Sequence, residues 1–401
     1  MNCTHTTVHR RPEAEIAAVS KAADAAGKAV PAGRPRFCRR HHHGRAAAAL
    51  LLLMSFETVD TVAATAEVPD VERKLQQRLE KFPEADANGD GVVTEQEARA
   101  HQKKQKPGKA IERGATSSGE STPTHANVRY GPHERNVLDG WRAPGDGPTP
   151  VLVFFHGGSF KAGDKSAVLA RPIFSPCLAA GITVVSANYR FSSDAPFPAP
   201  MRDGARVVQF VRAKAREWNI DPSRIAVSGT SAGATMALWI ALHDDLADPS
   251  GDEIARQSSR VTCASPHRGT AGLEIEYFKQ HAGVTRLGGA LFQLFGAQSQ
   301  AEFEQPDKRA LAREASPLIH ATRDDPPLFL TYAGDPAEAP FKADAAQSAW
   351  IHHVALGLPL KSRYDALGLG CEFYYQSKPA ATDAEIAFLK RHLLNAPRAE
   401  R

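Results

Sequence analysis

The chain has 401 residues, of which 42% are hydrophobic and 23% are charged, with 30 Gly and 28 Pro. This composition is globular and excludes a wholly disordered chain, a collagen and a small disulfide-rich protein. The formal net charge is +4, but nine of the 49 Lys and Arg and five of the 45 Asp and Glu lie in residues 1–66, which leaves 40 of each elsewhere. A neutral remainder offers no electrostatic attraction for nucleic acid, so we expect no nucleic-acid partner.

Residues 1–66 have the segment order of a secretory signal peptide. A basic stretch at 39–45 precedes an apolar run at 46–56, and the small residues Ala64-Thr65-Ala66 follow. The apolar run is shorter than the roughly 20 residues of a membrane-spanning helix, and no other run is longer. We therefore predict cleavage near Ala66, a secreted or periplasmic protein, and no membrane span after cleavage. The alternative is an uncleaved anchor at the membrane surface.

Residues 67–101 are predicted to form a helix, a loop and a second helix, with a metal-binding loop between them. The twelve residues from 86 to 97 read DANGDGVVTEQE, with Gly91 at the sharp turn. This spacing places oxygen ligands where a hard divalent cation needs them and resembles an EF-hand loop. The predicted Ca²⁺ ligands are Asp86, Asn88, Asp90, the Val92 carbonyl, Thr94 and Glu97. We expect Ca²⁺ binding without sensing; the alternative is an Asx-rich turn between helices.

Residues 102–127 are rich in Lys, Gly, Ser, Thr and Pro, which predicts a flexible linker. From 128 to 398, short apolar runs alternate with helical stretches, which predicts a mainly parallel sheet with helices on both faces. The predicted strands are 151–155, 182–187, 224–228, 261–264, 328–332 and 371–375, and helices are predicted at 201–218, 232–243 and 383–394. Residues 266–326 are too long for a plain connection and predict a lid-like insertion.

One predicted turn carries a candidate nucleophile. Strand 224–228 is followed at once by Gly229-Thr-Ser231-Ala-Gly233 and then by a helix. This G-x-S-x-G order places Ser231 on a tight turn whose small neighbours avoid clashes, with its hydroxyl at the helix N-terminus. Ser231 is therefore the predicted nucleophile.

A second turn supplies hydrogen-bond donors. Strand 151–155 runs into His156-Gly157-Gly158, where glycines leave backbone N–H groups open. The N–H groups of Gly157, Gly158 and Ala232 could bind the oxyanion of a tetrahedral intermediate. The alternative is a glycine turn without chemistry.

Together these residues resemble the α/β hydrolases of the hormone-sensitive-lipase and feruloyl or acetyl-xylan esterase group. The resemblance rests on His156-Gly157-Gly158, Asn188-Tyr189-Arg190, the 219–225 segment NIDPSRI, and Gly229–Gly233, and it covers about residues 128–395. It implies an α/β-hydrolase fold and a carboxylic-ester hydrolase that uses Ser, an acid and His. No cofactor is expected for catalysis.

The acid and the histidine of this group follow late strands. Asp335, in an Asp-Pro pair after strand 328–332, is the predicted acid, with Glu338 as the alternative. The loop at 376–383, where the group places its histidine, contains none. His352 and His353 are the candidate bases, since a serine needs one at neutral pH; alternatively they are structural. His267 is a candidate pocket residue, and His392 is predicted to point away from Ser231.

Two main hypotheses follow. The first is a secreted serine esterase that hydrolyses small-molecule or carbohydrate-linked esters through an acyl-enzyme. The second is a catalytically impaired α/β-hydrolase-like binding protein that has lost its base. A third alternative is a calcium sensor whose output is the hydrolase domain.

Overall fold

The computed structural model describes residues 122–394. The predicted signal segment, EF-hand loop with all its Ca²⁺ ligands, and most of the predicted linker lie outside these residues. Among the described residues, no helix combines the length and apolar character needed to cross a membrane.

An eight-stranded sheet forms the centre of the described part of the chain. Its spatial order is β1-β2-β4-β3-β5-β6-β7-β8. β1 and β2, and β2 and β4, pair antiparallel, and the other neighbours are parallel. The strands are His125–Arg129 (β1), Val137–Trp141 (β2), Thr149–Phe155 (β3), Thr183–Ala187 (β4), Ile220–Thr230 (β5), Cys263–His267 (β6), Leu328–Thr331 (β7) and Cys371–Tyr374 (β8).

Helices cover both faces of this sheet. They are Phe174–Ala179 (α1), Ala199–Ala213 (α2), Ala215–Trp218 (α3), Ala232–Leu242 (α4), Ile275–Ala282 (α5), Gly289–Leu294 (α6), Gln300–Phe303 (α7), Pro306–Glu314 (α8), Gln347–Trp350 (α9), Leu358–Leu367 (α10) and Ala384–Leu393 (α11). Short 3-10 turns lie at Lys165–Ala170, Pro317–His320, Pro336–Glu338 and Val354–Leu356.

The central strand β3 is apolar from residue 151 to residue 155, and its packing explains why. Val153 and Phe155 belong to the core that packs under α2 and α4, whereas Leu152 and Phe154 belong to the core on the opposite face, with α1 and α11. Alternate side chains of a strand point to opposite faces, so a strand covered on both faces must be apolar at every position. The observed sheet confirms the predicted fold class, the α/β-hydrolase fold.

The main differences from the sequence-based elements lie at the start of this region. β1 begins at His125, inside the last residues of the predicted linker, where His125 pairs with Gly140 of β2 and its ring stacks on Trp218 at 4.3 Å between centroids. β1 and β2 were not among the predicted strands. The predicted helix 201–218 is two helices, α2 and α3, divided at Lys214.

The predicted insertion contains helices that reach the carboxyl edge of the sheet. α5, α6, α7 and α8 and the turn Pro317–His320 all lie between β6 and β7. α6 contributes Leu291 and Leu294 to a cavity beside Ser231. Residues 266–326 therefore supply part of the wall of the candidate site.

Candidate active site

Ser231 lies on a strained turn between β5 and α4. Its backbone has φ 55° and ψ −118°, a conformation that non-glycine residues rarely adopt. Two glycines make the turn possible: a Cβ on Gly229 would come within 2.4 Å of the Gly233 carbonyl group, and one on Gly233 would come within 2.2 Å of the Phe155 carbonyl oxygen. Strain held by close packing at a nucleophile is typical of a functional turn.

The loop after β3 lies directly against this turn. A Cβ on Gly157 would lie 2.9 Å from the Thr230 carbonyl oxygen and 3.4 Å from the Ser231 Cβ, so the approach requires glycine. Gly158 has φ +120°, which also favours glycine. The N–H groups of Gly157, Gly158 and Ala232 donate no hydrogen bond to any part of the chain that the structure describes. All three predicted oxyanion donors are therefore available to a ligand.

Residues of the sequence motifs hold this loop in place. The Tyr189 hydroxyl donates to the His156 carbonyl oxygen at 2.7 Å, and the two rings stack at 4.4 Å. Arg190 donates three hydrogen bonds to the buried Asp203 carboxylate, from its backbone N–H and its guanidinium group. Burial lowers the pKa of His156, so this ring is neutral at pH 7. The Asn188–Arg190 motif thus fixes the oxyanion loop through Tyr189.

His352 lies beside the nucleophile. Its Nε2 is 2.9 Å from the Ser231 Oγ, which is hydrogen-bond distance. Its backbone carbonyl accepts a hydrogen bond from the Ala333 N–H at 2.9 Å, and Val354 N–H donates to the Ala333 carbonyl at 2.8 Å. This short parallel bridge extends the end of β7 and brings His352 to the site from the β7–β8 connection.

His353 faces the other way. Its ring is 2% exposed, and its Nδ1 accepts a hydrogen bond from the Ala355 N–H at 3.2 Å, so Nε2 carries the proton. That Nε2 lies 3.5 Å from the Glu338 carboxylate. A Cβ on Gly334 would overlap the His353 ring at 2.2 Å, so Gly334 gives the ring its space. Of the two candidate bases, the structure brings His352, and not His353, to Ser231.

The structure does not bring the predicted acid to His352. The Asp335 Oδ1 accepts a hydrogen bond from the Ser377 N–H at 2.9 Å, and the Asp335 N–H donates to Glu338 Oε1 at 3.1 Å. Within residues 122–394, His352 Nδ1 has no hydrogen-bond partner. The arrangement is therefore a Ser231–His352 pair in which backbone hydrogen bonds hold the His352 main chain and no carboxylate of the described residues is hydrogen-bonded to the imidazole.

His267 does not line the cavity, contrary to the expectation from sequence. It ends β6, and its two ring nitrogens lie 2.8 Å from Thr331 Oγ1 and 2.8 Å from Glu385 Oε1. The next residue, Arg268, has φ +60° and lines the cavity instead. Sequence reasoning missed Arg268; the available signal was its position directly after the strand that neighbours the nucleophile strand. His392 packs on Phe388 in α11, at 4.6 Å between ring centroids.

The cavity next to Ser231 is small and mostly apolar. Its volume is about 60 Å³. Apolar side chains from the insertion and the β7–β8 connection form much of its wall, and Arg268 is its charged residue. Burial, and then the positive charge of Arg268, lower the pKa of His352 below the ordinary 6.5, which favours the neutral ring that a base requires.

The described part of the chain thus combines an α/β-hydrolase fold with a serine–histidine pair at the carboxyl edge of its sheet. Residues 142–341 match the BD-FAE family model. The chain is 28% identical over 241 residues to the esterase LipQ of Mycobacterium tuberculosis, covering 56% of this chain and 52% of LipQ. It is 31% identical over 181 residues to the carboxylesterase NlhH of the same species, covering 43% and 51%.

The fold is also similar to that of solved esterases. A truncated carbohydrate esterase from gut microbiota superimposes with a TM-score of 0.54 at 19% identity, covering 70% of this chain and all of that one. The chain spans about half the length of the curated relatives it matches. His352 lies outside the segment that the family model matches. The named relatives are thus esterases, and the carbohydrate esterase shares the fold of this chain.

Proposed function

We propose that this protein is a serine carboxylic-ester hydrolase that works through an acyl-enzyme. The observation that carries the proposal is the 2.9 Å contact between Ser231 Oγ and His352 Nε2, beside three free N–H groups. The esterase relatives support it independently. The alternative of a binding protein that lacks a base loses its premise, because a histidine is within reach of the serine from another part of the chain.

In the first half-reaction, the Ser231 Oγ attacks the ester carbonyl carbon while its proton passes to His352 Nε2. The carbonyl oxygen becomes an oxyanion, which the N–H groups of Gly157, Gly158 and Ala232 stabilise. The imidazolium then donates its proton to the alcohol oxygen as the carbon–oxygen bond breaks. The alcohol leaves, and the acyl group remains on Ser231.

In the second half-reaction, His352 takes a proton from water, and the resulting hydroxide equivalent attacks the acyl carbonyl. The same N–H groups stabilise the second oxyanion, and Ser231 regains its proton as the acid leaves. All groups required lie on three loops at the carboxyl edge of the parallel sheet, where strands β3, β5 and β7 end.

The cavity supports a short acyl group. A cavity of about 60 Å³, lined by Leu273, Leu291 and Ile351, has room for only a few water molecules, which suits a short acyl chain better than a long one. The carbohydrate esterase with the same fold shows only that the fold accommodates such chemistry. We propose a short-chain ester, attached to a small molecule or a carbohydrate, as the substrate.

The experiment compares hydrolysis of 4-nitrophenyl acetate, butyrate and octanoate by the wild type and by Ser231→Ala. We expect wild-type kcat/KM to fall along this series, and Ser231→Ala to lose at least about a thousandfold on acetate. A fluorophosphonate probe should label only the wild type. Equal rates for wild type and Ser231→Ala on every ester, with no labelling, would contradict the proposal.

We also propose that the protein acts outside the cytoplasm and binds Ca²⁺ through the loop at 86–97. The support is the sequence order of residues 39–66 and the ligand spacing of the loop. Mass spectrometry of the exported protein should find an N-terminus near residue 67. Calorimetry should find Ca²⁺ binding that Glu97→Ala weakens; an unchanged heat would contradict the Ca²⁺ proposal.

A further inference from the structure

Three metal-ligating side chains meet at the far end of the nucleophile helix. His243 directly follows α4, Glu314 is the last residue of α8, and His320 ends the turn Pro317–His320. One ligand atom from each residue lies within 4.8 Å of the other two. α4 has 11 residues, so the cluster is separated from Ser231 by roughly 16 Å of helix and belongs to a different site.

The spacing and the backbone contacts of the cluster suit a bound metal ion. His243 Nε2 is 3.3 Å from Glu314 Oε1, close to the ligand–ligand spacing of roughly 3.3 Å in a tetrahedral zinc site. The other nitrogen of His243 is 3.0 Å from the Asp244 carbonyl oxygen, which leaves Nε2 as the nitrogen that faces Glu314. His320 Nε2 donates to the Glu314 carbonyl oxygen at 2.8 Å. Histidine ligands of metal ions commonly have such backbone partners.

We propose that His243, Glu314 and His320 bind a zinc-like divalent metal ion. Two imidazoles and a carboxylate suit Zn²⁺, with water as the fourth ligand, whereas Ca²⁺ and Mg²⁺ prefer oxygen ligands. The Glu314 side chain is 51% exposed, which gives the ion a path from solvent. Binding would join the nucleophile helix α4 to the inserted segment that forms part of the cavity wall.

The test is Zn²⁺ and Co²⁺ titration of the full chain with Ca²⁺ in excess, so that the predicted EF-hand loop is saturated. The wild type is compared with Glu314→Gln and with His320→Gln. Because Gln keeps the size and much of the hydrogen bonding of these side chains, both variants should fold. We expect one fewer bound Zn²⁺ per chain in each variant, and a Zn²⁺-dependent rise in melting temperature only in the wild type.

Matched controls separate this site from other histidines. His281→Gln and His392→Gln alter half-buried rings outside the cluster and should keep the wild-type Zn²⁺ stoichiometry. The histidines at 41–43 are shared by all variants and cancel in the comparison. Equal Zn²⁺ binding and equal thermal shifts in wild type, Glu314→Gln and His320→Gln would overturn the proposal. Loss of binding in the control variants as well would also overturn it.

A separate observation concerns Arg268 in the cavity beside Ser231. Its backbone N–H donates to the Thr331 carbonyl oxygen at 2.8 Å, but its guanidinium group has no hydrogen bond or ion pair with any of the described residues. The residue is exposed, and it lines the cavity together with Ser231. The other arginines near the site have carbonyl or carboxylate partners, such as Arg190 with Asp203. Arg268 is thus a cation without an ion-pair partner among the described residues, at the wall of the cavity that contains Ser231.

We infer that Arg268 selects esters that carry a carboxylate near the scissile bond; this inference rests on the proposed esterase function. A guanidinium group donates parallel hydrogen bonds to a carboxylate. The carboxylate could belong to the acyl group or to the alcohol, and each source needs its own probe. For the alcohol side, 4-acetoxybenzoate is compared with 4-acetoxybenzamide, its neutral counterpart. For the acyl side, the 4-nitrophenyl monoester of adipate is compared with 4-nitrophenyl hexanoate.

The measured quantity is the ratio of kcat/KM for the charged ester to that for the neutral one. In at least one pair we expect Arg268→Gln to lower this ratio about tenfold and Arg268→Lys to lower it less. Any change in His352 basicity affects both esters of a pair and cancels. An unchanged ratio in both pairs would overturn the inference about Arg268, whereas absence of hydrolysis of all four esters would instead count against the esterase function.

Discussion

The nucleophile side and the histidine side of the site are built in different ways. Ser231 and its oxyanion donors lie on two turns, one after β3 and one after β5, and each turn is formed by a short continuous segment. Glycines fix both turns, because a side chain at these positions would overlap with the backbone. His352 lies in the β7–β8 connection and reaches Ser231 through a two-bond bridge to Ala333. The first arrangement is encoded locally in a few residues, whereas the second depends on how a long connection folds back on the sheet.

Removal of the base is the strongest test of this difference between the nucleophile side and the histidine side, and it has the largest expected effect. We expect His352→Ala to lower kcat on 4-nitrophenyl acetate at least about a thousandfold, because Ser231 then has no proton acceptor. His353→Ala should reduce kcat less than about tenfold but cost about 2 kcal/mol of unfolding free energy, because the ring is buried. Rate measurements and urea unfolding of both variants check this. The reverse pattern would make His353 the base.

A smaller effect is expected on the nucleophile side. Gly157→Ala should reduce kcat about a hundredfold, because the new Cβ would lie 2.9 Å from the Thr230 carbonyl oxygen and displace the oxyanion donors. Gly147→Ala is the matched control, since a Cβ there has no heavy atom within 4 Å. Steady-state kinetics of both variants test this expectation. Equal activity of Gly157→Ala and Gly147→Ala would show that the loop tolerates the shift.

The sequence was informative where function depends on neighbouring residues. The strand–turn–helix around Ser231 and the glycines at 157 and 158 lie where their motifs predicted, because local sterics determine such turns. The sheet could also be predicted, because a strand buried on both faces must be apolar throughout. Strands β1 and β2 were missed. The edge strand β1 is partly exposed and has the mixed sequence HANVR, and β2, although mostly buried, is interrupted by Asp139 and Gly140, so neither has the continuous apolar run.

The parts that could not be predicted depend on contacts between distant residues. His352 and His353 are adjacent in sequence, and only the bridge to Ala333 decides which of them faces Ser231. The role of Arg268 depends on the positive φ that turns the chain after β6, and nothing in the surrounding Pro-His-Arg-Gly sequence specifies its side-chain neighbours. The contacts of Asp335 could not be predicted either. The Asp-Pro pair follows β7 as predicted, but the Asp335 carboxylate accepts a hydrogen bond from the Ser377 N–H.

Substitution of the predicted acid, Asp335, tests whether His352 works without a carboxylate partner. If the structure describes the working site, Asp335→Asn should reduce kcat less than about tenfold, because its amide oxygen can still accept the Ser377 N–H. Glu338→Gln should have a similarly small effect. Kinetics of both variants measure this, with His352→Ala as the reference for full loss. A loss of about 10⁴-fold in Asp335→Asn would instead establish it as the acid that orients the imidazole.

The smallest effect is a shift in pH dependence. His352 must be neutral to accept the Ser231 proton, so activity rises as the pH passes through its pKa. Burial and then the charge of Arg268 hold that pKa below 6.5, which places the acidic limb of the kcat/KM profile below pH 6.5. Arg268→Gln removes one positive neighbour, so the limb should move to higher pH, whereas Arg268→Lys should leave it nearly in place. The profile is measured with a neutral ester, so that substrate charge does not titrate. A limb that stays in place in Arg268→Gln would mean that burial alone sets the basicity of His352, and that the histidine side is electrostatically independent of the strand that neighbours the nucleophile.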